Sequence, residues 1–348
     1  MGSIAKYAAV NTKVKTLEGK LLTEEQYSKL MESKSYTDAL RYLKENTDYK
    51  DALKGYNVET VHRGQLEYIL KKHYIEDFYK LSHYFSGDYK RLFKILFMRF
   101  EIEDLKVILR GKYADKEKEY IESIMTYESP LNYINYDDLI KAKDIYSAVQ
   151  VLKNTQYYKH IHPLLDSVKE EGLFRIEMTL DFIYFSSLRK FSKKLNKEDE
   201  EIIKKLIGIY SDLLNIQWIF RGKKYYKINA EELLNYTIYD GYKLKSDTLK
   251  KLCYSKDTEE MFSIISTTPY KNVFGDGEKE EYLIEKDILT YMKRVYLKYK
   301  KTHGNNISVV MSYLELALLE IRDVVSIIES KRYSIDNEEA FRYVTITV

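Results

Sequence analysis

The chain has 348 residues, of which 45% are hydrophobic and 32% are charged, and its formal net charge is +3 at pH 7. This balance is typical of a folded globular protein, and it argues against a disordered chain and against a nucleic-acid-binding one. A single cysteine, Cys253, excludes an internal disulfide and fits a reducing compartment. The length allows two or three domains, and only 3 prolines interrupt it, so long helices are predicted.

The first landmark opens each third of the chain. A leucine is followed by a small residue and a lysine, then by an aliphatic residue, and finally by the tripeptide Thr-x-Tyr. The landmark reads Leu30, Ser33-Lys34, Leu43, Thr47 and Tyr49 in the first copy, Leu139, Ala142-Lys143, Leu152, Thr155 and Tyr157 in the second, and Leu252, Ser255-Lys256, Ile265, Thr268 and Tyr270 in the third. The copies are about 110 residues apart, which is far longer than the repeat of a solenoid protein.

The second landmark is an aliphatic residue followed by glutamate, and it lies in the middle of each copy. The glutamates are Glu67, Glu177 and Glu285. Large apolar or aromatic residues follow each glutamate at intervals of three and four, which is the spacing of one helix face. We therefore expect a long amphipathic helix at this place in every copy.

The third landmark is a closing phrase, which reads EIEDLKVILRGK from residue 101, DLLNIQWIFRGKK from residue 212 and EIRDVVSIIESKR from residue 320. Its paired polar positions are Glu101/Asp104, Asp212/Asn215 and Glu320/Asp323. An enzyme rarely needs three equivalent pairs, and Asn215 would spoil a metal pair, so we expect these groups to satisfy buried polar contacts between helices. In Arg-Gly-Lys we expect the glycine to form a left-handed helix cap and the cations to face the negative end of the helix dipole.

Three landmarks in the same order predict three homologous all-helical domains. The predicted boundaries are 1–114, 115–228 and 229–348. An apolar stretch near the end, ISVVMSYLELALLEIRDVVSII, carries four charged residues, so we expect a buried helix there and not a membrane span. The N-terminus MGSIAKYAAV lacks the apolar core of a signal peptide, and its Met-Gly-Ser has the composition of a cloning remnant. We expect a cytosolic chain, or one that reaches a membrane through partners.

Other candidate sites are weak. His160 and His162 point to different sides of a helix, and His73 with Asp77 lacks a third metal ligand. The segment VFGDGEKEEYL lacks the lysine and hydroxyl residue of a phosphate-binding loop, and it predicts a turn before the middle helix of the third copy. Cys253 occupies an apolar position of the repeat and has no neighbouring base. No catalytic, cofactor-binding or metal-binding residue is predicted.

The tripled pattern resembles the C subunit of the vacuolar/archaeal-type rotary ATPases, whose eukaryotic counterpart is the d subunit. The resemblance covers nearly the whole chain and includes YAAVNTKVKTLEGKLLTEEQY, YTDALRYLKENTDY and the three closing phrases. It implies a funnel of three similar helical domains with pseudo-three-fold symmetry. It also implies a peripheral position on the cytoplasmic face of the membrane rotor ring, where the funnel receives the central stalk, built from the D and F subunits. ATP would bind to other proteins of the complex, and this one would pass torque for proton or sodium transport without a cofactor.

The cations at the ends of the closing phrases are candidates to face the stalk or the ring. They are Arg110, Lys112, Arg221, Lys223, Lys224, Lys331 and Arg332. Two other functions stay open at this point. One is a general helical adaptor with no connection to a rotor, and the other is a metal-dependent hydrolase that uses the repeated carboxylates.

Overall fold

The computed structural model of the chain describes residues 3–125, 134–239, 241–275, 279–302 and 304–346, and the regular secondary structure of these residues is helical throughout. The prediction of an all-α fold is therefore confirmed. The chain forms two compact units. The terminal unit combines residues 1–86 with residues 273–348, and the central unit comprises residues 87–272.

The terminal unit is built around one long buried helix near the end of the chain. Its helices are α1 (Ser3–Glu18), α2 (Glu24–Glu32), α3 (Tyr36–Asn46), α4 (Arg63–Ser82), α16 (Glu281–Lys301), α17 (Ser308–Arg332) and α18 (Asn337–Ala340), with 3-10 turns at Asp48–Lys50 and Phe341–Tyr343. Helix α17 contacts α1, α2, α3, α4 and α16. Most of its residues are buried, which confirms the prediction of a buried helix for the late apolar stretch.

The central unit contains the helices between these two halves. They are α5 (Gly87–Tyr113), α6 (Lys118–Ile124), α7 (Tyr136–Lys141), α8 (Ile145–Val151), α9 (Tyr158–Ile161), α10 (Val168–Glu171), α11 (Phe174–Ser192), α12 (Lys197–Arg221), α13 (Ala230–Tyr236), α14 (Ser246–Tyr254) and α15 (Thr258–Ile265). A 3-10 segment covers His162–Ser167, and a π-helical segment covers Gly222–Tyr226. Helix α11 packs against both α5 and α12.

The sequence landmarks fall at matching places in these helices. Glu67, Glu177 and Glu285 all lie within the first five residues of a long helix, in α4, α11 and α16 respectively. The closing phrases lie on α5, α12 and α17, which are called the closing helices below. Each closing helix is at least 25 residues long and carries an apolar face that is buried. The division into three domains at residues 114 and 228 stays a prediction.

The small-Lys pair of the opening landmark precedes a helix start in all three copies. Ser35, Asp144 and Asp257 follow the pair and cap helices α3, α8 and α15. In each case the side-chain oxygen accepts a hydrogen bond from the backbone N–H three residues on, at distances of 3.1, 2.8 and 2.8 Å. These caps satisfy donors that the first helical turn would leave without partners. The landmark thus fixes the point at which the chain turns from one short helix into the next.

Candidate functional site

The Thr-x-Tyr tripeptides form the same side-chain turn in all three copies. The hydroxyls of Thr47, Thr155 and Thr268 accept a hydrogen bond from the N–H of the tyrosine two residues on, at 3.2, 3.2 and 3.1 Å. Each hydroxyl also donates to the carbonyl of the landmark aliphatic residue, which is Leu43, Leu152 or Ile265. Such hydroxyl turns end a helix and fix the direction of the next side chain. The threonine therefore fixes the direction in which the tyrosine side chain points.

The hydroxyl of each of these tyrosines donates a hydrogen bond to the first acid of a closing helix. Tyr157 bonds Glu101 on α5 at 2.5 Å, and Tyr270 bonds Asp212 on α12 at 2.8 Å. Tyr49 bonds Glu320 on α17 at 2.8 Å. We call each tyrosine with its acid an acid–tyrosine joint.

The joints connect different copies of the repeat. The second copy supplies Tyr157 to the acid of the first, and the third copy supplies Tyr270 to the acid of the second. The last joint returns to the beginning of the chain, because Tyr49 of the first copy bonds Glu320 of the third. Every copy is therefore joined to another copy by the same pair of groups.

Two of these acids, Asp212 and Glu320, also bind the backbone that leads into a short helix. Asp212 Oδ2 accepts hydrogen bonds from the N–H groups of Tyr242, Lys243 and Leu244, just before α14. Glu320 Oε2 accepts a hydrogen bond of 2.7 Å from the N–H of Leu22, just before α2. One carboxylate thus accepts hydrogen bonds from both the backbone of a loop and the hydroxyl of a tyrosine, which explains why an acid recurs at this position.

The second polar position binds another stretch of backbone in the second and third copies. Asn215 exchanges two hydrogen bonds with the backbone of Ile238, at 2.9 and 2.8 Å. Asp323 accepts from the N–H and the hydroxyl of Thr345, at 2.8 and 2.7 Å. Asp104 is buried on α5. An amide and an acid both suit a backbone N–H partner, so the change to asparagine in the second copy keeps the contact.

Burial shifts the acid–base behaviour of these groups. It raises the pKa of Glu320 to about 7, because the hydrogen bonds from Leu22 and Tyr49 only partly offset the loss of water. It also raises the pKa of Asp212 and of Asp323. The pKa values of Tyr49 and Tyr157 lie above the usual tyrosine value, through burial and through the acid beside each phenol. Tyr49 and Tyr157 therefore keep their hydroxyl protons at neutral pH.

The lysines of the closing phrases cap helices that belong to the next copy. Lys112 donates to the carbonyl of Ile140 at the end of α7, and Lys223 donates to that of Ser255 at the end of α14, both at 2.5 Å. Lys331 donates to the carbonyl of Met31 at the end of α2. Burial lowers the pKa of Lys223 and of Lys331. A cation at a helix C-terminus compensates the helix dipole, so these lysines strengthen the same joints.

The prediction that the Arg-Gly-Lys glycines form left-handed caps was wrong. Gly111 lies within α5, and Gly222 has a right-handed helical backbone with φ −59° and ψ −39°. A Cβ on Gly111 would lie 2.5 Å from Ile121, and one on Gly222 would lie 2.4 Å from Leu233. These glycines therefore let the next helices, α6 and α13, approach the closing helix closely.

The left-handed residues lie four or five positions further on. They are Asp115, Lys227 and Ser334, with φ values of 49°, 49° and 54°. The N–H that follows each of them bonds back to the carbonyl of Gly111, Gly222 or Ser330, at 2.9, 3.0 and 2.9 Å. The closing helices thus end alike, including the third one, in which a serine stands at the glycine position. This return bond satisfies a carbonyl at the helix terminus.

The other predicted interface cations lie on the surface, with partners of their own. Arg110 makes a two-pronged ion pair with Glu177, with distances of 2.6 and 2.7 Å. Arg332 covers the ring of Tyr36, and Arg221 covers that of Phe174. Arg110, Lys224 and Arg332 are exposed.

The remaining candidate residues make structural contacts in the described parts of the chain. No group of three or more His, Cys, Asp or Glu side chains is placed there to hold a metal ion. Asp77 pairs with Lys80 at 3.0 Å, and His73 packs edge-on against Tyr49. Burial raises the pKa of the Cys253 thiol to about 12, so it is protonated at neutral pH. Residues 276–278 of VFGDGEKEEYL lie outside the described residues, and α16 begins three residues later.

Sequence reasoning missed the pairing of tyrosine with acid. Both groups were in the aligned landmarks, and a polar tyrosine after a buried helix needs a partner for its hydroxyl. The prediction treated each copy as one domain, so the tyrosine of one copy was not connected with the acid of another. The signal that could have found the pairing is that every copy carries one of each, at fixed positions.

Comparison with known proteins places the chain in a family. None of the helices in the described residues combines the length and the apolarity that crossing a membrane requires. A family model described as ATP synthase (C/AC39) subunit matches residues 10–343. Relatives named as the C subunit of A-type ATP synthase include those of Methanocaldococcus jannaschii, 26% identical over 97% of this chain and 85% of the relative, and Methanosphaera stadtmanae, 25% identical over 94% and 84%. The relative from Pyrococcus abyssi is 23% identical over 92% and 85%. This chain belongs to the ATP synthase (C/AC39) subunit family.

Proposed function

We propose that this chain connects the central stalk of a V/A-type ATPase to its membrane rotor ring and transmits torque between them. The family match over residues 10–343 carries the proposal, because it spans both compact units. The stalk partner is the complex of the D and F subunits, and the ring partner is the assembly of proteolipid subunits. The chain itself binds no cofactor and performs no chemistry. It serves ATP-coupled transport of protons or sodium ions from a peripheral position on the cytoplasmic face of the membrane.

The acid–tyrosine joints support a mechanical role. A part that transmits torque must resist shear between its helices, which well-packed interiors do. Each joint is a buried hydrogen bond to a carboxyl group, and on the same closing helix a lysine caps a neighbouring helix. On α5 and at the end of α12 a glycine also lets the next helix approach closely. Hydrogen bonds to charged groups are about twice as strong as neutral ones. Three such joints resist relative sliding of the copies they connect.

We propose three domains, near 1–114, 115–228 and 229–348, arranged around a pseudo-three-fold axis as a funnel that receives the stalk. The recurrence of the same tyrosine–acid pair supports three equivalent groups of helices. Two of the pairs lie within the central unit and one lies within the terminal unit.

The exposed cations at the ends of the closing helices are the proposed contact residues. Arg110, Lys224 and Arg332 are exposed, whereas Lys112, Lys223 and Lys331 are partly buried caps whose loss would disturb the fold. Charges at the rim of an interface mainly steer association and make it sensitive to salt. We propose that the exposed three face the stalk or the ring and that Arg221, over the ring of Phe174, lies beside them in the interface.

Co-purification from native membranes tests the function. The chain, tagged at one end, is recovered after mild detergent extraction, and its partners are identified by mass spectrometry. The proposal predicts recovery of the A, B, D and F subunits together with the proteolipid of the ring. A general adaptor would bring down other proteins without them, and a metal-dependent hydrolase would contain a stoichiometric metal in elemental analysis of the same sample.

A further inference from the structure

Glu320 lies in the wall between two spaces of the terminal unit. One is a cleft of about 560 Å³ between the segment 18–24, helix α16 and the C-terminal segment, and it has exposed residues such as Gly19 and Arg294 in its lining. The other is a cavity of about 30 Å³ that Tyr49, His73 and Asp77 also line. Glu320 as a whole residue is only 5% exposed. A small movement of segment 18–24 would bring it into contact with the water of the cleft.

The packing of residues 19–23 against Glu320 does not require a charge on Glu320. Its Oε2 accepts the N–H of Leu22 at 2.7 Å, and its Oε1 lies 2.8 Å from the hydroxyl of Tyr49. A neutral carboxyl group can keep both contacts, with its carbonyl accepting from Leu22 and its O–H donating to the Tyr49 oxygen. The Tyr49 hydroxyl can then donate into the small cavity, which is large enough for one water molecule.

The charged groups around Glu320 stabilise its ionised form only weakly. On its own helix, Asp323 repels that charge, and Lys293 of α16 attracts it. Lys293 also lies 3.7 Å from Asp323, so its attraction is divided between two acids. The other titratable groups that line the two spaces beside Glu320 are Glu18 of α1, Lys20, Glu24 and Tyr27 of α2, Asp48 and Tyr49 of the 3-10 turn, His73, Tyr74 and Asp77 of α4, Arg294 and Lys300 of α16, and Tyr313 of α17. Lys300 lies 3.5 Å from Glu18 and so is paired with another acid.

The equivalent acid of the central unit lies in a different environment. Asp212 accepts three backbone N–H groups in addition to the Tyr270 hydroxyl, whereas Glu320 accepts one backbone N–H besides its tyrosine. The neighbour three residues on is the neutral Asn215 in the central unit and the acid Asp323 in the terminal unit. More donors and a neutral neighbour favour the charged form. The same joint therefore suits a carboxylate at Asp212 and a neutral carboxyl at Glu320.

Linkage gives the direction of the response. Burial raises the pKa of Glu320 to about 7, while in contact with water the group would regain its ordinary value near 4.5. The closed form thus binds a proton more tightly than the open form. Between these two values, closure is most favourable at low pH, and it loses that advantage as the pH rises through about 7. The buried charge, once formed, favours opening toward the cleft.

We propose that Glu320 is a proton-responsive switch, whose uncharged form keeps residues 19–23 closed beside the cleft and whose charged form opens them to water. The response is confined to the terminal unit, in which this joint ties the beginning of the chain to its last long helix. The proposal does not depend on the partners of the chain and can be tested on the isolated protein.

Hydrogen–deuterium exchange of the full-length chain between pH 5.5 and 8.5 is the test. The rates are corrected for the intrinsic pH dependence of amide exchange and read from peptides that cover residues 19–23. We expect protection of the Leu22 region to fall about tenfold between pH 6 and pH 8, steeply below pH 7 and then levelling off above it. Residues 242–244, which Asp212 holds, serve as the internal control and should change far less.

Three variants separate the switch from general loosening. Glu320→Gln should keep residues 19–23 protected at every pH, since an amide can accept from Leu22 and donate to Tyr49 without charge. Asp323→Asn reproduces the Asn215 arrangement and should move the fall in protection to lower pH. Asp212→Asn should leave the response of residues 19–23 unchanged. Constant protection in the wild-type chain, or an unchanged pH response in either Glu320→Gln or Asp323→Asn, would overturn the proposal, and the second variant decides if the first fails to fold.

Discussion

The hydroxyl of Tyr49 lies 2.8 Å from Oε1 of Glu320, although 271 residues separate the two in sequence. This hydrogen bond ties the first repeat to the last closing helix within one compact unit. Because the same pair recurs as Tyr157 with Glu101 and as Tyr270 with Asp212, the bond belongs to the repeat itself. The beginning and the end of the chain thus meet through the same chemistry that joins its inner copies.

Removing the hydroxyl of a joint tyrosine should destabilise the chain. In Tyr49→Phe, Tyr157→Phe and Tyr270→Phe a buried carboxyl group, charged or neutral, loses its hydrogen-bond partner, and a buried polar group left without a partner costs about 1–3 kcal/mol. Urea unfolding followed by circular dichroism measures the change. Tyr254→Phe is the matched control, because Tyr254 also donates to an acid, Glu231, but is 48% exposed. Joint variants as stable as this control would contradict the role of the joints.

Adding a methyl group at Gly111 should destabilise the chain even though alanine favours helices. The new Cβ would lie 2.5 Å from Cγ1 and 2.7 Å from Cδ1 of Ile121, and overpacking of this kind costs about 1–3 kcal/mol. Helix propensity returns about 1 kcal/mol of that. Gly111→Ala should therefore lower the free energy of unfolding, whereas in an Ile121→Ala background the same change should raise it. Equal effects in both backgrounds would show that close approach is not the reason for glycine.

The capping lysines should matter to stability more than their exposed neighbour does. Lys223→Met keeps the aliphatic stem but removes the donor to the Ser255 carbonyl, and about 1 kcal/mol of stability should be lost. Lys224→Met changes an exposed residue one position away and should cost less than about 0.5 kcal/mol. Thermal unfolding of the two variants beside the wild type gives the comparison. A larger loss of stability for Lys224→Met than for Lys223→Met would contradict the assignment of Lys223 as the helix cap.

The sequence predicts the helices well and their connections poorly. Apolar spacing behind Glu67, Glu177 and Glu285 is a local signal, and the long helices at α4, α11 and α16 follow it. The position of Gly111 before a lysine predicted a helix cap, which was wrong. Glycine is needed there because Ile121 approaches closely, and this approach depends on packing that no local pattern contains. The partner of Tyr49 was equally hidden, since nothing near residue 49 indicates an acid at position 320. Local propensity determines elements, and contacts distant in sequence determine how they are joined.

Charge reversal separates the proposed contact residues from the caps. A variant with Arg110→Glu, Lys224→Glu and Arg332→Glu should bind the stalk or the ring at least about tenfold more weakly, because all three cations are exposed. Arg110 and Arg332 also pair with the largely buried Glu177 and Glu329, so the variant should lose some stability, and binding is compared at a temperature at which circular dichroism shows it to be folded. The control carries the same change in charge at exposed lysines away from the closing helices, as Lys54→Glu, Lys159→Glu and Lys271→Glu. The control should bind like the wild type, and equal weakening of both variants would mean that only total charge matters.

Binding of the purified chain to the purified D–F complex, measured by titration calorimetry at physiological salt, tests the proposed stalk function most directly. The account predicts saturable one-to-one binding that weakens as salt is added and that the Arg110, Lys224 and Arg332 reversals reduce if these residues face the stalk. The folded state of the chain is verified in the same buffer by circular dichroism. A folded chain that gives no binding at concentrations of about 50 μM, which corresponds to an affinity weaker than about 6 kcal/mol, would contradict the account.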